Sequence, residues 1–285
     1  KVNPTINSFL DPEKLFASSE PTIQADNFAT ATEACYISST PELRAQLLEI
    51  LLRRISEAKS TELSFQSIKE MRYCLCGFCG CARADSSMVS GIIPTITPLL
   101  IELNTSLIAQ IRATIEESGE AASSRDNVKI ILSCFRAQMQ LLKETNPNEG
   151  LFLLEIFNEL PPKMRMAEAL SLSESILNTE SPELLRSVRE LVINPTIEME
   201  STLEEAGERL PLEFAIALPK LLQKISSRHI EAIVCADLQI LINLINFPDQ
   251  QVAKSTLLAL TDFINHWNEH PEKLQLMKLF IGNII

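Results

Sequence analysis

From Thr40 onward the apolar residues return every three or four positions. In TPELRAQLLEILLRRI and the residues that follow it, Leu43, Leu47, Ile50, Leu51 and Ala58 fall on one stripe of a helix, and Glu42, Gln46, Glu49, Arg53 and Glu57 fall on the opposite one. Such a helix has one buried and one wet face. The same period predicts helices over 21–38, 41–59, 62–83, 87–117 with a break at Pro94 and Pro98, 126–144 and 148–160. It continues over 162–178, 182–193, 196–208, 211–225, 227–246, 249–269 and 272–285. No stretch alternates in the way a half-buried strand would.

Helix starts are marked by a capping residue, a proline and an acid in the first turn, as in TPEL from Thr40, SPELLRSVRELV from Ser181 and, more loosely, LPLEFAIALP from Leu210. Short connections between helices of about 12 to 20 residues make consecutive helices antiparallel neighbours. Helix pairs recurring about every 40 residues predict an all-α fold, an α-solenoid of the HEAT/armadillo kind, in which each pair buries its apolar face by stacking on the next. Residues 1–285 are expected to form a single array. The polar stretch ESGEAASSRDN, 117–127, is expected to be a longer inter-helix loop, with a linker between two domains as the alternative.

Composition supports helices: hydrophobic residues make up 46% of the chain, yet it has only 7 glycines and 1 tryptophan. No glycine-rich phosphate loop appears, so a nucleotide cofactor site has no support and no cofactor is expected. The net charge of −12 argues against direct nucleic-acid binding and favours basic partners. The longest uncharged run, 86–101, is too short to span a bilayer and contains two prolines, so no membrane insertion is expected. Seven cysteines, four of them crowded together, suit a reducing compartment, cytoplasm or nucleus. There the sequon at Asn104 would carry no sugar. The chain starts at Lys1 without a secretory signal and ends on the apolar LFIGNII, as expected of a fragment of a longer chain.

The crowded stretch is CLCGFCGC, Cys74 to Cys81. As a helix it puts Cys74 and Cys81 on one face and Cys76 and Cys79 on another, so the four thiols do not converge on one ion. Zinc sites need a turn that folds thiolates together and a second ligand pair. Close helix packing through small residues is the expected role, and no metal is predicted. His266 and His270 stand four apart but lack a third ligand, and with His229 they are expected to be structural. The acidic runs Glu116, Glu117, Glu120 and Glu204, Glu205, Glu208 are expected on solvated helix ends or faces. Nothing in the spacing of nucleophiles and bases points to an enzyme.

Three stretches resemble the importin-β (karyopherin) superfamily, particularly its transportin-SR-like branch. GLFLLEIFNELPPKMR, 150–165, is similar to that branch's LLEILTxLPEE helix. LQILINLINFPDQQVAKSTLLALTDFINHW, 238–267, is similar to a later segment, with Phe247-Pro248-Asp249 in the place of a His-Pro-Asp turn and without the usual aromatic cluster over 259–263. STPELRAQLLEILLRRI matches an early repeat helix. The resemblance implies a nucleocytoplasmic transport receptor that binds Ran in its GTP form and protein cargo on a concave surface, moving between cytoplasm and nucleus. It also makes the stripe Glu42, Gln46, Glu49, Arg53 and Glu57 the expected partner contact. A solenoid scaffold subunit of a cytoplasmic or nuclear assembly is the alternative.

Overall fold

The computed structural model describes residues 21–60, 64–118, 122–178 and 181–267; of these, 21–26, 58–60, 115–118, 122–126 and 230 are described by backbone alone. The described chain is all-α, with no strand. Its helices are α1 (Pro21–Ser38), α2 (Pro41–Ser60), α3 (Phe65–Ala84), α4 (Ser86–Ser90), α5 (Ile93–Ser118), α6 (Ala122–Glu144) and α7 (Leu151–Glu159). Then follow α8 (Glu168–Ile176), α9 (Pro182–Val188), α10 (Asn194–Glu205), α11 (Leu212–Arg228), α12 (Cys235–Ile245) and α13 (Gln250–Trp267). The helix expected over 272–285 lies outside the described residues.

Local chemistry explains the starts. Ser64 and Ser67 cap α3 reciprocally, the Ser67 amide donating to Ser64 Oγ at 3.1 Å and the Ser64 amide to Ser67 Oγ at 2.9 Å. Ser181 caps α9 ahead of Pro182, and Asp249 accepts the amides of Gln251 and Val252 at the head of α13. The break expected at Pro94 and Pro98 falls earlier, at Gly91 and Ile92. Pro94 sits in the first turn of α5, where its missing N–H costs nothing, and Pro98 is carried inside the helix with its ring exposed.

Pro195 likewise does not end a helix. Residues Arg189–Ile193 form a π turn that joins α9 to α10 without interruption, and the Asn194 amide donates to Arg189 O, five residues back. The wider turn accommodates a proline that a regular α-helix would have met with a clash.

The chain divides into two compact units, Lys1–Ile156 and Phe157–Ile285. The division does not fall at 117–127, and of the loop expected there 117–118 and 122–127 are helical, because α5 runs to Ser118 and α6 opens at Ala122, while 119–121 lie outside the described residues. A polar surface is enough to hide a helix start from a reading of apolar period.

In the first unit, helices two or three apart in the chain lie side by side. α3 packs against α1 and α6, α2 against α5, and α2 and α5 pack on α3 and α6 respectively. The contacts give direction: Arg72 meets Ser133, Cys79 meets Ala137 and Arg83 meets Glu144, so α3 and α6 run the same way. By contrast α5 opposes α6, since Ser90 ahead of α5 bonds Thr145 past the end of α6, and Asn104 further along meets the earlier Gln138. From Cys74 to Ala82 every residue of α3 is buried, and α1 and α6 also touch each other. In the second unit α8, α11 and α13 pack in succession and α10 lies beside α12. Arg228, at the end of α11, donates to Asn178 O just past α8 at 2.6 Å. Phe263 and Trp267 stack at 5.6 Å in its core.

Candidate functional site

The face predicted on α2 is exposed throughout: Glu42, Gln46, Glu49, Arg53 and Glu57 all reach solvent. Opposite them Leu47, Leu48, Ile50, Leu51 and Ile55 are buried, while Leu43 is only half-buried and the side chain of Ala58 lies outside the described set. The buried face is wider than the stripe read from the sequence because α2 packs on α3 and on α5 at once. Arg53 and Glu57 form an ion pair at 3.7 Å. At such exposure the pair adds only about 0–1 kcal/mol and leaves both groups accessible to a partner.

The head of α2 is fixed by Arg44, whose Nε donates to Tyr36 O at 2.9 Å and whose Nη2 donates to Ile37 O at 3.2 Å. The guanidinium lies 5.1 Å from the centre of the Tyr36 ring. A cation thereby meets the last carbonyls of α1, the end that favours one. Glu42 accepts hydrogen bonds from its own amide and from Thr40, which hold its carboxyl below the usual value. The predicted face therefore starts from a rigid corner.

CLCGFCGC lies in one uninterrupted helix with all four thiols buried. Cys79 Sγ donates to Ala137 O on α6 at 3.6 Å, whereas Cys81 neighbours Cys35 on α1. Burial pushes Cys74, Cys81 and Cys134 up to about 12 and Cys79 well above its ordinary value. Such thiols stay protonated and fill space. Among the described residues no group of three or more His, Cys, Asp and Glu is placed to hold a metal ion, and none of the described helices is long and apolar enough to cross a membrane.

The sequon asparagine is committed elsewhere. Asn104 is buried and exchanges two hydrogen bonds with Gln138, Nδ2 donating to Oε1 and Nε2 donating back to Oδ1, each at 2.8 Å. His229 is buried at the end of α11, its amide bonding Ile225 O, and the exposed His266 has Nδ1 2.7 Å from Asp262 O. His270, and the side chains of Glu116, Glu117 and Glu120, lie outside the described set.

The second acidic run does more than cover a helix end. Glu204 and Glu208 line a cleft of about 400 Å³ together with Glu200, Arg209, Asn243 and Phe247. Gly207, at φ +72°, turns the chain back at the end of α10, and the Glu208 amide donates to Leu203 O in the manner of a Schellman cap. Glu200 Oε1 accepts Asn243 Nδ2 at 3.2 Å, and burial, with Glu204 nearby, raises its carboxyl above the usual range. No local spacing announces this cleft, because Glu200 and Asn243 belong to different helices.

No protein-family model matches the chain, and no curated protein matches it in sequence.

Proposed function

We propose that the chain is a protein-binding solenoid fragment of a nucleocytoplasmic transport receptor, taking Ran in its GTP form and protein cargo and moving between cytoplasm and nucleus. The face of α2 made by Glu42, Gln46, Glu49, Arg53 and Glu57 is its contact surface. One observation carries the reading: all five polar residues are exposed on a helix whose other side is locked into the core, so the face is displayed and not consumed by folding. The side-by-side order of helices two or three apart in the chain is compatible with stacked helix pairs. Net charge of −12 suits basic partners.

The test is retention of Ran, loaded with GTP or with GDP, by the immobilised 285-residue chain. Selective capture of the GTP form is expected. The double variant E49R/R53E should lose it while its melting changes by less than about 0.5 kcal/mol, as exposed substitutions do. Full binding by that variant removes the face from the mechanism. No binding of Ran in either form rejects the transport reading and leaves the scaffold one.

A further inference from the structure

The cleft at the end of α10 joins an apolar lining to an acidic one, and all of it lies within the second unit. Its volume of about 400 Å³ falls in the range of small-molecule sites, about 300–1,000 Å³. Leu210 and Leu244, both buried, and the half-buried Phe247 supply the apolar side; three carboxylates against the guanidinium of Arg209 leave the polar side negative. Glu200 and Glu204 stand four residues apart on α10, about 6 Å along its axis, and Glu208 follows beyond the turn at Gly207. Among the described residues neither Glu200 nor Glu204 has a cationic partner. Glu200 meets the neutral amide of Asn243, and only Glu208 is paired, at 3.7 Å with the exposed Lys163. The carboxylates do not gather about a point either: no three acidic, His or Cys side chains among the described residues are placed to hold one metal ion. An extended cation suits this lining, and a compact one does not.

We propose that this cleft binds a linear aliphatic diamine or polyamine. Two of its ammonium groups donate to Glu200 and Glu204 in charge-assisted hydrogen bonds, and a short run of methylenes spaces them by about the 6 Å that separates the two glutamates along the helix. The methylenes lie against Leu210, Leu244 and Phe247 and remove apolar surface from water, which a hydrated metal ion cannot do. Burial, and then Glu204, already hold the Glu200 carboxyl above its usual range; an ammonium group between the two relieves the second cause. Anionic ligands meet the same carboxylates as repulsion. The site is separate from the α2 face, which lies in the first unit.

Isothermal titration calorimetry of the full chain with putrescine and with spermidine tests this directly. At about 50 mM salt both should bind saturably at a single site, and added salt should weaken them. E200Q/E204Q should weaken both about tenfold or more; glutamine keeps the oxygen that accepts Asn243 and removes only the charge. E155Q/E213Q, which takes the same charge from exposed positions elsewhere, should bind as the parent does. Should E200Q/E204Q unfold the chain, as circular dichroism would show, E204Q alone, at an exposed position, replaces it with a smaller loss in the same direction. Absence of saturable binding overturns the proposal, as does equal binding by a folded cleft variant or an equal loss in E155Q/E213Q. Magnesium ion binding as tightly as putrescine overturns it in favour of a counter-ion effect. Tighter binding of a short dilysine peptide than of spermidine, lost in the same variants, overturns it in favour of polypeptide docking.

Discussion

Gly80 on α3 sits directly against the backbone of Ala29 on α1: a Cβ on Gly80 would lie 2.1 Å from the Ala29 carbonyl oxygen. Gly77, one turn earlier, would meet only the ends of Leu51 and Phe28, at 3.0 and 3.1 Å. This close approach accounts for the unbroken burial of α3 from Cys74 to Ala82. With no side chain at Gly80 and thiols around it, α1 can close over the helix and reach α6.

Gly80→Ala is therefore expected to destabilise the chain by about 2 kcal/mol or more, since backbone has to move to admit the methyl group. Gly77→Ala is expected to stay within about 1 kcal/mol of the parent, because side-chain ends can give way and alanine favours a helix over glycine. Urea denaturation of the two variants decides it; equal effects would mean that the close approach of α1 is not what Gly80 provides.

Thiol chemistry follows from the same packing. Of seven cysteines only Cys235 is exposed, so Ellman's reagent should label one thiol quickly in the native chain and the other six only after denaturation. The pH dependence has a definite sign. Below the ordinary thiol value, near 9, Cys74, Cys81 and Cys134 keep their protons whether the chain is folded or not. Above it the unfolded chain ionises, while the folded one holds its protons up to about 12. Stability contributed by these thiols is complete below pH 9 and is lost as pH rises toward 12. Denaturation midpoints that rise between pH 9 and pH 11 would contradict this.

What could be read in the sequence was whatever one helix decides for itself. TPEL and SPEL mark true starts, the α2 stripe is exposed at all five predicted positions, and the cysteine stretch is helical because its apolar residues keep helical phase on both sides. Features set by a neighbouring helix were hidden. Leu48 and Ile55 are buried on a helix that packs on both α3 and α5, and Pro195 is tolerated because a π turn precedes it. The cleft between Glu200 and Asn243 and the Asn104–Gln138 pair depend on two helices lying side by side.

The π turn also makes a two-pronged ion pair within the second unit. It presents Arg189 to Asp237, which is fully buried, with Nη1 donating to Oδ1 at 3.2 Å and Nη2 to Oδ2 at 2.7 Å. Nη2 also donates to Ala232 O at 2.7 Å, and Asp237 Oδ2 accepts the Val234 amide at 2.9 Å at the head of α12. One carboxylate thus caps a helix and anchors the turn that joins α9 to α10. Removing either partner strands the other, so Asp237→Ala and Arg189→Met should each cost about 3–5 kcal/mol. The double variant Arg189→Met/Asp237→Leu should cost well under the sum of the single changes, because no charge is then left without its partner. A residual loss of about 1 kcal/mol is expected from the missing cap. Thermal and urea unfolding of the four chains form the cycle, and strictly additive losses would show that Arg189 and Asp237 do not act as a pair.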